Sequence, residues 1–123
     1  SERSRGLGDV YKRQVLQGKT GHFTRAKGFD TFCPLGPFIQ TEFTSNPELN
    51  IKAYVNGDLK QDGNSRDMIY SIGEILEFVT SIMTLLPGDV VMTGTPEGVS
   101  QVKPGDEIKI EIETLGTLIN SVE

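Results

Sequence analysis

From Leu49 to Val55 the chain alternates apolar and polar positions, LNIKAYV, which puts Leu49, Ile51, Ala53 and Val55 on one face of a strand. Asn56-Gly57 follows at once. This pair tolerates the positive φ values of a tight type I′ turn, so the pattern predicts a hairpin that returns through DLKQ. Residues 62–68, DGNSRDM, read as a polar loop. The spacing then changes from two to 3.6. Ile72, Ile75, Leu76, Val79, Ile82, Met83 and Leu86 form one stripe and predict a long helix over about 71–86 whose apolar face is core. Ser71 and Glu74 make a capping box at its start, and Pro87-Gly88 stops it. Beyond the helix, DVVMTG at 89–94 is nearly all apolar and predicts a short strand buried on both faces. TPEGVSQVKPGD reads as a loop ending in a Pro-Gly-Asp turn at 104–106, and the PGD at 87–89 reads as similar turn chemistry. The last segment alternates over Ile108, Ile110 and Ile112, turns near Leu115-Gly116, and returns through Leu118 and Ile119. The fold class expected is α+β, mostly β, with one long helix.

Composition narrows the class. A chain of 123 residues, 36% apolar and 24% charged with 14 Gly and 6 Pro, suits one turn-rich soluble domain with its own core. No apolar run reaches the roughly 20 residues of a membrane span, so no membrane partner is expected. The polar N-terminus has no signal-peptide core. One cysteine, Cys33, cannot pair within the chain, and a reducing cytoplasm is the simplest setting. The net charge of −5 argues against a nucleic-acid partner. That charge is uneven, because residues 1–27 hold seven of the 12 Lys and Arg and two of the 17 acids, +5, leaving −10 for the rest. No basic helix or aromatic platform accompanies the basic end. Residues 1–14, SERSRGLGDVYKRQ, show neither apolar period and resemble translated adapter sequence; they are expected to be a disordered or non-native tail, with the domain running over 15–123.

Three places carry candidate chemistry. FTRAKGFDTFCPLGP, residues 23–37, gathers Arg25, Lys27, Asp30, Thr31 and Cys33 in a loop-like composition. A lysine there can stabilise a developing enolate, or it can be a solvated side chain flanking packed Phe29 and Phe32. TGTPEGV, residues 93–99, places small residues straight after an apolar run, where backbone N–H groups and a Thr hydroxyl can approach an anion. A simple turn explains the same residues. His22 is the one histidine, and it reads as a surface residue. No His/Cys/acid cluster has zinc spacing, and no HExxH, GxSxG, CxxC or phosphate-binding P-loop occurs.

Three blocks, RAKGFDTFCPLGPFI, YVNGDLKQDGNSRDMIYSI and LLPGDVVMTGTPEGVSQVKPGDEI, appear in the order and spacing of the C-terminal half of the fumarylacetoacetate hydrolase family, which the chain resembles from about Val15 to Glu123. The resemblance implies an incomplete mixed β-roll or β-sandwich, a homodimer when full length, and Mg²⁺ or Mn²⁺ held on three carboxylates. It implies a small-molecule 2-oxo or 2,4-dioxo acid substrate, broken beside a carbonyl through an enolate by hydrolysis or decarboxylation. It makes Lys27 the catalytic cation that neutralises the enolate, and Thr31 a residue supporting the metal's water shell. Cys33 becomes structural. Thr95 becomes the hydroxyl that binds the substrate carboxylate, with Gly94 allowing close backbone approach, and Gln17 an amide supporting the oxyanion site. The departures are as definite. The family's Glu-x-Glu metal pair lies upstream of the segment matched by Gln17, and the position of the third ligand, an Asp, is Val10 here, with Asp9 one residue out of register. The His-Glu pair of the family's lid has no match, and His22 does not supply it. No metal ligand is therefore assigned in this chain, and it is expected to be inactive alone. An isomerase working through the same enolate, or a β-rich binding module without catalysis, are the alternatives.

Overall fold

The computed structural model describes Asp30, residues 33–42 and residues 46–123. The stretch 1–14 and the candidate residues Gln17, Lys27 and Thr31 lie outside the described residues. What is described is mostly β, with one α-helix and an antiparallel four-stranded sheet. The strands are β1 (Asn50–Val55), β2 (Asp58–Asn64), β3 (Glu107–Ile112) and β4 (Gly116–Ser121), in the spatial order β2-β1-β3-β4.

The predicted hairpin forms. Val55 pairs with Asp58 across a two-residue loop in which Asn56 has φ 51 and Gly57 φ 83, the two positive values a type I′ turn needs. Asn56 does more than turn. Its backbone N–H donates to the Glu107 carbonyl, its side-chain oxygen accepts from the Glu107 N–H at 2.9 Å, and its Nδ2 donates to Asp106 Oδ1 at 2.8 Å. A turn residue thus stitches the first hairpin to the second. That second hairpin turns through Thr114 (φ 66) to Gly116 (φ 102) and starts β4 where the alternation predicted.

Register fixes the faces. Ile51, Ala53 and Val55 lie opposite Ile112, Ile110 and Ile108, and Ile110 lies opposite Leu118, so one face of the sheet is apolar. The other carries Lys52, Tyr54, Lys109 and Glu111, where Lys109 pairs with Glu111 at 2.7 Å and lies over the Tyr54 ring at 4.2 Å. On the apolar face Val102 and Val122 are buried against Val55 and Ile108.

Four expectations need correction. The stretch 62–68 is not all loop: Asp62–Asn64 complete β2, whose place at the sheet edge tolerates polar side chains, and a short 3-10 turn covers Ser65–Asp67. The helix α1 spans Ile72–Ile82, four residues short of 86; its capping box is present, but Met83 is already extended (φ −141, ψ 153). Thr80 and Ser81 turn their hydroxyls back onto the Leu76 and Phe78 carbonyls in that last turn, the kind of side-chain competition that weakens a helix end. The apolar stripe is not core here either, since no residue of α1 is buried. Finally, 89–94 joins no ladder, and Val90 and Met92 are 57% and 74% exposed. An apolar run states that a segment can be covered, not that a neighbour is present to cover it.

Both Pro-Gly-Asp turns form alike. The Asp89 and Asp106 N–H groups donate to the Leu86 and Lys103 carbonyls, and each carboxylate accepts the N–H of the residue three positions before it, at 2.8 and 2.9 Å.

Candidate active site

The loop 95–98 folds over the outer edge of β2, and three contacts hold it there. The first is a β-bulge: Ala53 faces Gln61 while Tyr54 faces Leu59, so Lys60 is the extra residue on β2. Gly98, at φ 97, lies so close to the Lys60 carbonyl that any Cβ would strike it. Second, Gly63 lies under Pro96; a Cβ on residue 63 would come within 3.3 Å of the proline ring. Third, the Gln61 side chain, facing the same way as Ala53, donates from Nε2 to Thr95 Oγ1 and to the Pro96 carbonyl, both at 2.9 Å, and to the Glu97 carbonyl at 3.3 Å.

Beside this loop opens a groove of about 540 Å³. Ile51 from β1, Met68, and Ile75 from α1 give it apolar walls, and Thr93, Gly94 and Thr95 form one side. Asp62, Asp67 and Glu97 also line it, and among the described residues no Lys, Arg or His does. Gly94 has φ 100 with open space where a Cβ would stand, so its backbone is accessible from the groove.

Of the sequence candidates, Gly94 and Thr95 are brought together at this groove, while Lys27, Gln17 and Thr31 fall outside the described residues. Cys33 is exposed rather than packed. Sequence reading missed Gln61: its partner Thr95 is 34 positions away, and nothing local in LKQDG signals the contact. Among the described residues no three His, Cys, Asp or Glu side chains approach closely enough to hold a metal ion. The donor set for a divalent cation is therefore not supplied by the described part of the chain. No helix among these residues is long and apolar enough to cross a membrane.

The Fumarylacetoacetate (FAA) hydrolase C-terminal family matches residues 7–123. The chain belongs to the fumarylacetoacetate hydrolase family. Its match begins within the stretch 1–14 and covers both walls of the groove. Among relatives in the fumarylacetoacetate hydrolase family, the 4-hydroxyphenylacetate degradation bifunctional isomerase/decarboxylase of Salmonella dublin is 43% identical over 116 residues, covering 93% of this chain and 27% of the relative. The crystal structure of 5-carboxymethyl-2-hydroxymuconate delta-isomerase from Mycobacterium smegmatis superposes with a TM-score of 0.81 at 44% identity, over 89% of this chain and 43% of that one. Maleylpyruvate hydrolase from Sphingobium sp. SYK-6, in complex with manganese(II) and pyruvate, superposes with a TM-score of 0.76 at 41% identity, over 84% and 39%. The chain spans 48% and 44% of two further curated relatives, so it covers less than half the length of each of these three curated relatives.

Proposed function

We propose that this chain forms the carboxylate-gripping side of an enzyme acting on 2-oxo or 2,4-dioxo acids, breaking a C–C bond beside a carbonyl by acylpyruvate-type hydrolysis or oxaloacetate-type decarboxylation. One observation carries this reading: the Thr95 hydroxyl is held by Gln61 beside the open backbone of Gly94, on the side of a groove large enough for a small acid. The pyruvate bound in the Sphingobium relative supports the substrate class, and its manganese supports a divalent cation, Mg²⁺ or Mn²⁺, as cofactor of the complete protein, with its ligands drawn from outside residues 1–123.

Each residue then has a physical task. Thr95 donates its hydroxyl proton to the substrate carboxylate, and Gly94 leaves room for that carboxylate to reach backbone N–H groups. Asp62, Asp67 and Glu97 repel an anion, so binding requires a compensating cation. Lys27 is assigned that charge and the task of opposing the enolate as it forms, with Gln17 supporting the oxyanion and Thr31 the metal's water shell. A second reading, isomerisation through the same enolate, is favoured by the similarity to the mycobacterial delta-isomerase, and identification of the product decides between them.

Thr95→Ala in the complete protein is expected to raise KM for a 2-oxo acid roughly 10- to 100-fold, the worth of a hydrogen bond to a charged group, while Thr95→Ser restores most of it. An unchanged KM in the alanine variant contradicts the reading. Purified 1–123 is expected to bind Mg²⁺ weakly in calorimetry and to turn over no acylpyruvate. Activity of that chain, abolished by a chelator, would overturn the assignment of the metal ligands to other residues.

A further inference from the structure

We infer that Gln61 is a positioning residue that occupies one lone pair of the Thr95 hydroxyl and so leaves its proton free to be donated toward the groove. This rests on the reading of Thr95 as the group that binds the substrate carboxylate.

A glutamine side chain has one end that only donates and one that only accepts. The Pro96 and Glu97 carbonyls can only accept, and both lie within 3.3 Å of the same atom of Gln61. That atom must therefore be the nitrogen; the flipped amide would set oxygen against two carbonyl oxygens. The same nitrogen lies 2.9 Å from Thr95 Oγ1. Facing a donor, the hydroxyl oxygen accepts, and its own hydrogen is left to point elsewhere. A carboxylate, which accepts only, is complementary to a hydroxyl in that state. A ligand N–H or O–H reaches at most the hydroxyl's second lone pair and leaves that hydrogen without an acceptor.

The fold fixes this arrangement from below. Gln61 stands one residue after the Lys60 bulge and opposite Ala53, on the face that the loop 95–98 crosses. The register of β2, rather than the loop's own sequence, decides what Thr95 meets.

The test is a double-mutant cycle in the complete protein, assayed with a 2-oxo acid and with pyruvate as the binding probe. Gln61→Glu puts acceptors where the nitrogen stood, so Thr95 turns its proton toward residue 61 and away from the groove. KM and the pyruvate Kd are expected to rise about tenfold or more at pH 8, with a smaller change in kcat. The defect is expected to shrink as pH falls toward 4, through the ordinary glutamate range of about 4.3, where the introduced carboxyl regains a proton to donate, whereas Gln61→Leu loses binding without that pH dependence. On a Thr95→Ala background, Gln61→Glu is expected to add little. Weakened binding in Thr95→Ala with full binding in Gln61→Glu defeats the positioning role alone. Unchanged binding in Thr95→Ala defeats the carboxylate reading beneath it. Additive effects, or a defect in Gln61→Glu that does not vary with pH, reduce Gln61 to a structural clamp.

Discussion

Gly98→Ala is expected to destabilise the protein by about 3–5 kcal/mol and to abolish the ordered groove edge, the combined cost of a left-handed backbone at a residue with a Cβ and of forced overpacking. The reason lies in what the new methyl meets. At φ 97 it is directed at the Lys60 carbonyl, with Gln61 Cγ 3.2 Å away. A backbone carbonyl within a sheet cannot rotate aside as a side-chain tip could. Either β2 deforms at its bulge or the loop lifts off, and lifting takes the Pro96 and Glu97 carbonyls from Gln61. Gly105→Ala is the control: its φ of 94 is nearly the same, yet nothing lies within 4 Å of the added carbon. That variant carries only the conformational cost, about 1–2 kcal/mol. Equilibrium denaturation of both variants in the complete protein separates the terms. Equal losses at 98 and 105 would mean that the loop does not rest on β2 as described.

What was legible in the sequence was chemistry within a few residues of itself. Asn56-Gly57 requires its turn whatever surrounds it, Ser71 and Glu74 satisfy each other's backbone, and both Pro-Gly-Asp segments close on their own carboxylates. The alternation of Ile108, Ile110 and Ile112 located β3 because a sheet with one apolar face repeats every two residues. Readings that depended on distant partners fared differently. Apolar content suggested a buried strand at 89–94 and a core stripe on α1, but burial is conferred by whatever packs on a segment, and the described residues leave Val90, Met92, Leu76 and Ile82 exposed. Polarity made Asp62–Asn64 look like loop, although an edge strand accepts polar side chains without loss of its ladder. The candidate site divides the same way. Gly94 and Thr95 were visible in TGTP, while Gln61, which sits between three loop oxygens, is tied to them only through the fold.

Asp106→Asn is expected to lower Tm at neutral pH by roughly 5 °C in the complete protein, with the difference from wild type shrinking in acid. Asp106 is 6% exposed and receives two donors, the Asn56 amide on Oδ1 and the Lys103 N–H on Oδ2. An asparagine offers one oxygen to those two donors and turns its own NH₂ toward the other, so one of them is left without a partner. The damage spreads because the neighbouring backbone is already committed: the Val122 N–H donates to the Asp106 carbonyl, the Gly105 N–H to the Val122 carbonyl, and Asn56 to Glu107. The hydrogen bond from Asn56, and after it that from Lys103, hold the Asp106 carboxyl below the usual carboxylate range, against a smaller opposing effect of desolvation. A carboxyl depressed in this way stabilises the fold fully above its unfolded pKa, about 3.9, and loses that contribution as pH falls through the lower folded value. Wild type is therefore expected to lose this stability below about pH 4, where the asparagine variant, having nothing to protonate at residue 106, loses none through it. Denaturation at pH 7 and pH 3 measures the convergence. A gap between the two proteins that stays constant across that range would show that the ionised form of Asp106 is not what ties the two hairpins together.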